Sequence, residues 1–108
     1  MSNKRTTHLV KCARREILET LKATYPAAMR PTDIQRSLVP LLPQLSDHDL
    51  EQDLHYLMQK QYIEQVSPTG DRTPPQQPPT RIGERWVRLT AKGIELTDKC
   101  ISDPAIEF

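Results

Sequence analysis

Three stretches of the chain space their apolar residues at helical intervals, and two shorter ones alternate. Val10, Ala13, Ile17 and Leu21 predict a helix from about Thr7 to Thr24, with Leu9 and Leu18 widening the stripe. Pro26 stops it, and "PAAMR" (26–30) is short enough for a brief edge strand. A second helix is expected to start at Thr32, where Thr32 and Gln35 make a T-x-x-Q capping box and Pro31 sets the entry. Ile34, Leu38 and Val39 should face inward, and Pro40 ends or kinks the helix because its ring clashes with the preceding turn. "PLLPQL" follows as a tight connector with its own leucines to bury. A third helix starts at Ser46 and buries Leu50, Leu54, Leu57 and Met58.

Tyr62, Ile63 and Val66 read as a strand, and "RWVRLT" (85–90) as a second. Between them, "SPTGDRTPPQQPPTRIG" (67–83) holds five of the ten prolines and two of the three glycines. That composition forbids a helix or an interior strand, so it predicts an extended hairpin loop, partly in polyproline II geometry. Thr90 caps a last helix, roughly 91–101, with Ile94, Thr97 and Ile101 on one side.

A chain of 108 residues suits one domain with a modest core. Residues 1–6 read as a flexible arm. The formal net charge of +1 conceals an uneven distribution. Residues 1–15 carry Lys4, Arg5, Lys11, Arg14 and Arg15 without an acid, and residues 65–93 are also basic. The stretches 16–64 and 94–108 are acidic. No apolar run has the length of a membrane span, and the basic N-terminus lacks the apolar core of a secretion signal. Cys12 and Cys100 are far apart and fit no metal or redox spacing, which reads as two reduced thiols in a cytoplasmic protein. A bridge between the two terminal helices is the other reading.

The order helix, short strand, helix, helix, strand, long hairpin, strand, helix resembles a winged helix-turn-helix domain. "LEQDLHYLMQKQYIEQV" (50–66) has the apolar spacing of the recognition helix and wing strand of MarR-like and related small bacterial or phage regulators. "WVRLTAKGIEL" (86–96) is similar to their return strand and to the L-T-x-x-G turn that begins their next helix. The resemblance covers nearly the whole chain. It implies an α+β, mostly α fold: a three-helix core, a β-hairpin wing and a C-terminal helix. It also implies a transcriptional regulator binding double-stranded DNA as a dimer. Four features depart from those regulators: Gln61 stands where they usually have Gly, the second and third helices are joined by a longer connector, the wing is long and proline-rich, and Asp49, Glu51 and Gln52 occupy their base-contacting positions.

The third helix carries Asp47, Asp49, Glu51 and Asp53 against Lys60. Asp49 and Glu51 can accept from cytosine N4, and Gln52 can pair with adenine. Alternatively, the acids stabilise the helix dipole and face solvent, or they repel DNA and dock a basic protein partner. His48 and His55 lie seven apart with Glu51 between them, so they share one helix face with it, without a strong third metal ligand. Around the wing, Arg72, Arg81, Arg85 and Arg88 can grip phosphate or enter a minor groove, unless they serve only to solvate the loop. Lys4 and Arg5 can add a similar basic arm.

Trp86 alternates with the core pair Val87 and Leu89, which turns it toward an interface or makes it a cover for the sheet. With Leu9 and Ile101 it is a candidate for a homodimer contact. The chain contains no nucleophile paired with a base, no Gly-rich phosphate loop and no carboxylate pair in an evident pocket, so neither an enzyme nor a cofactor is expected.

Overall fold

In the computed structural model, which describes residues 5–67 and 86–108, the chain folds as a mostly helical α+β structure with a two-stranded antiparallel sheet. The first helix, α1, spans Thr7–Thr24, as the apolar spacing predicts. Thr6 caps it, its hydroxyl accepting from the Leu9 N–H at 3.2 Å. Ala13, Ile17, Leu18 and Leu21 are buried on one side.

The second helix, α2, spans Pro31–Leu38. Its start differs from the expected one. Arg30 is the N-cap, no side chain caps the helix, and Pro31 occupies the first turn. Proline suits that position because its fixed φ is already helical and its missing N–H would have lacked a partner. The Thr32–Gln35 capping box therefore does not form. Gln35 instead donates its Nε2 to the Leu45 carbonyl at 3.4 Å, tying α2 to the connector. Val39, expected inward, is 53% exposed, since the helix has already ended at Leu38.

The third helix, α3, spans Asp47–Gln59 and is capped by Ser46, which accepts from the Asp49 N–H at 3.1 Å. It ends in a Schellman turn: the Gln61 N–H donates to the Met58 carbonyl and the Tyr62 N–H to the Leu57 carbonyl. That turn requires a left-handed residue, and Gln61 supplies it with φ 65°. The strands β1 (Ile63–Val66) and β2 (Trp86–Leu89) follow, paired with Ile63 opposite Leu89 and Val66 opposite Trp86. The PAAMR segment contributes one antiparallel bridge, Met29 to Val87, through two 2.8 Å backbone hydrogen bonds.

The last helix, α4, spans Ala91–Thr97 and is capped by Thr90. It is shorter than the run to residue 101 because Lys99, at φ 64°, closes a second Schellman turn. Gly93 makes this packing fit: a Cβ on it would lie 2.1 Å from the Tyr62 carbonyl oxygen. Beyond α4 the backbone is irregular but held, with Asp103 and Ile106 buried. The core joins Ile17, Leu21, Ile34, Leu54, Val87 and Leu96, drawn from all four helices and the sheet. Cys12 and Cys100 are both free. Among the described residues no helix is long and apolar enough to cross a membrane.

Candidate nucleic-acid interface

Along α3 the apolar stripe at 50, 54 and 57 fixes which residues face outward. Asp47, His48, Glu51, Gln52, His55 and Gln59 are exposed. Of these, His48, Glu51, Gln52, His55 and Gln59 follow a helical spacing of three or four residues and so form one solvent stripe. This face gathers four of the residues singled out for DNA contact.

The other two acids of α3 do not share that face. Asp53 is fully buried and Asp49 half-buried. The Asp53 carboxylate accepts from Arg5 Nη1 at 2.7 Å, Arg5 Nη2 at 3.2 Å and Arg14 Nε at 3.2 Å. Arg5 also stands 3.4 Å from Asp49 through Nε. Two guanidiniums therefore offset two carboxylates between α3 and the N-terminal end of α1. Asp49 and Arg5, both singled out for DNA contact, are thus engaged with each other, and Arg5 also with Asp53, inside the fold. The physical reason is that a buried carboxylate needs a cation close by, because removing it from water unpaired costs several kcal/mol (of the order of 3–5). The periodicity carried a signal for this: 50, 53, 54 and 57 are themselves an i, i+3, i+4, i+7 set, which places Asp53 on the inner side.

Arg14 links this cluster to a second one. Its guanidinium lies 3.9 Å from the Tyr56 ring centroid, and its Nη1 donates to the Ala105 carbonyl at 3.4 Å. The Tyr56 hydroxyl donates to Asp103 at 2.9 Å, the Tyr62 hydroxyl donates to the same carboxylate at 2.7 Å, and the Ala105 N–H adds a bond at 2.8 Å. Burial alone disfavours the charged Asp103. The Ala105 N–H, the two tyrosine hydroxyls and Lys60 at 3.9 Å outweigh it, and the carboxyl is held below its ordinary range. Burial, followed by the bond to Asp103, pushes the Tyr62 hydroxyl well above its ordinary value. Nothing in the sequence pattern marks Asp103, since it lies beyond the last helix.

Of the basic residues named for phosphate contact, Lys4, Arg72, Arg81 and Arg85 lie outside the described residues, as does the proline-rich segment 68–83. Arg88 is described, and its Nε bonds Glu64 Oε2 at 3.2 Å across the β1–β2 pair. Arg36, on α2, is exposed and makes no ion pair among the described residues.

Trp86 is half-buried, opposite in direction to buried Val87 and Leu89, as alternation requires. Its ring is approached by the Arg30 guanidinium at 5.4 Å, so part of it is covered from within the chain. Ile101 is half-buried against the core, whereas Leu9 is 46% exposed. Leu9 stands on the wall of a groove of about 420 Å³, formed with Leu41, Leu42 and Leu45 and bordered by Arg5 and Asp49. Among the described residues no group of three or more His, Cys, Asp or Glu side chains is arranged to hold a metal ion. No family model, curated protein or solved structure matches the chain.

Proposed function

We propose that the chain is a winged helix protein that binds double-stranded DNA through α3 and acts as a cytoplasmic transcriptional regulator in dimeric form. The observation that carries this reading is the internal neutralisation of Asp49 and Asp53 by Arg5 and Arg14. Four acids facing a phosphate backbone would cost affinity. With two of them paired inside the fold, Asp47 and Glu51 remain as the exposed acids, beside His48, Gln52, His55 and Gln59. Gln52 suits adenine, Glu51 suits cytosine N4, and the imidazoles suit base or phosphate acceptors. Two shorter helices followed by a hairpin support the winged helix reading, with β1 and β2 as the wing's base. Phosphate attraction falls to Lys4, Arg72, Arg81 and Arg85, whose sequence positions adjoin α1 and the β1–β2 connection, and to Arg36. The free thiols accord with a reducing compartment.

The test is fluorescence anisotropy with a generic labelled duplex and with the DNA upstream of the chain's own gene, each titrated across salt. Affinity that falls steeply with salt and favours the upstream DNA is the expected result. Replacing Arg72, Arg81 and Arg85 by alanine should reduce the salt slope by about 1 for every phosphate left without its arginine. Gln52→Ala should narrow the preference for the upstream duplex. Failure to bind either duplex at low salt would overturn the proposal and leave α3 as a surface for a basic protein partner.

A further inference from the structure

After α4 the chain leaves regular structure at Lys99, and residues 101–108 lie against α1 and the end of α3 without helix or strand. Two side chains anchor this segment. Asp103 and Ile106 are each 6% exposed, whereas Pro104 between them faces solvent. The Tyr56 and Tyr62 hydroxyls donate to the Asp103 carboxylate, with the Lys60 ammonium 3.9 Å from it. Ile106 enters the hydrophobic core. Two longer bonds add to the attachment: Arg14 Nη1 donates to the Ala105 carbonyl at 3.4 Å, and the Glu107 N–H to the Lys11 carbonyl at 3.3 Å. The segment also builds its own turn. The Ala105 N–H returns to Asp103 Oδ1 at 2.8 Å and the Ile106 N–H to the Asp103 carbonyl at 3.1 Å. An Asp-x-x-Ile sequence thus presents both anchors on one side with its own atoms, which lowers the ordering cost of docking.

We propose that the Tyr56–Tyr62–Lys60 cradle and the adjoining apolar socket are a binding site for peptides of the form Asp-x-x-Ile, held closed by the chain's own residues 103–106 as a tethered and displaceable occupant. The chemistry of recognition is on both sides of the contact. Two phenol hydroxyls and an ammonium suit a carboxylate, and the socket suits a branched aliphatic side chain three residues later. The attachment is local: side-chain anchors and two long hydrogen bonds hold a segment outside any helix or sheet, so it can open without unfolding the helices. Arg14 makes the site consequential for the rest of the fold, because the guanidinium that bonds Ala105 also bonds Asp53 on the inner side of α3. The proposal does not depend on α3 reading DNA.

The experiment uses the full chain and a synthetic peptide of residues 101–108, fluorescently labelled at its N-terminus. Anisotropy compares the parent with the full-length double variant Asp103→Ala, Ile106→Ala, whose cradle has lost its tethered occupant. The variant should bind the peptide tighter than the parent by a factor of about ten or more, since in the parent the tethered copy competes at a high effective concentration. A peptide carrying Asp103→Asn or Ile106→Ala should lose that binding, and Tyr62→Phe added to the variant chain should weaken it. Circular dichroism shows whether the variant keeps its helices. A second measurement, on the parent alone, is native-state amide exchange. The N–H groups of Ala105, Ile106 and Glu107 should exchange ahead of those of Tyr62 and Val87, which are bonded within the body of the fold. A helical variant that does not bind the peptide overturns the proposal, as does binding that survives loss of the peptide's Asp103. Exchange of the three segment amides in step with Tyr62 and Val87 also overturns it, and decides the matter if the variant is unfolded.

Discussion

Arg14 Nε donates to Asp53 Oδ1 at 3.2 Å, joining the inner side of α3 to α1 through a carboxylate with no solvent exposure. Arg5 closes the same carboxylate with two further bonds. Breaking one side of a buried pair leaves the other charge unbalanced in a poorly solvated place. Asp53→Ala is therefore expected to lower stability by about 3 kcal/mol. Urea denaturation checks it, and a shift corresponding to less than about 1 kcal/mol would show that the two arginines rehydrate freely.

Gln61 adopts φ 65° to close the Schellman turn after α3. That conformation costs an L-residue with a Cβ roughly 1–2 kcal/mol, and glycine avoids it. Gln61→Gly is expected to raise stability by about 1 kcal/mol, net of the greater freedom of glycine in the unfolded chain. The thermal midpoint reports it. A fall in the midpoint would mean that the Gln61 side chain contributes more than its backbone costs.

Gly93 faces the opposite constraint. A Cβ there would collide with the Tyr62 carbonyl oxygen and with a Leu89 methyl 2.8 Å away. The backbone of α4 would have to move off the β1 end of the sheet. Gly93→Ala should destabilise by about 3 kcal/mol, and amide exchange should speed up at Thr90, whose N–H donates to that carbonyl. An unchanged midpoint would refute the close approach.

The Asp103 carboxyl is held below the ordinary value of 3.8. A depressed carboxyl contributes stability that is fully present above its unfolded value and is lost as pH falls through the folded one. Tyr62 is raised above its ordinary 10.0, so its contribution is present below that value and fades as pH rises beyond it. The cluster's stabilisation should thus be flat between about pH 5 and 9 and decline on both sides. Asp103→Asn should cost stability on the plateau and flatten the acid limb of a chemical-denaturation series. An unaltered acid limb would place the acid-sensitive group elsewhere.

Arg88 is occupied by Glu64 in its own sheet. Arg88→Ala is accordingly expected to leave the salt slope of duplex binding unchanged, in contrast to the arginines of the β1–β2 connection. A slope reduced by about 1 would mean that Arg88 leaves Glu64 for a phosphate.

Local sequence was enough to specify the span of α1, the start of α3 at Ser46, the Thr90 cap and the inward turn of Val87 and Leu89. Each follows from a short-range cause: apolar periodicity, a hydroxyl three residues ahead of an orphan N–H, or the two-residue alternation of a strand. The same reasoning starts the second helix too late and runs the last helix too long. Both ends depend on which residue takes a special backbone angle, Pro31 in one case and Lys99 in the other. The charge of the α3 face, by contrast, emerges only on folding. Asp49 and Asp53 count as surface acids until Arg5 and Arg14, 39 to 48 residues away from Asp53 in sequence, are folded against it. The same holds for Asp103, whose partners Tyr56 and Tyr62 arrive from α3 and its C-terminal turn. A short-range pattern fixes where a side chain points. Whether its charge is free or neutralised is set by long-range neighbours.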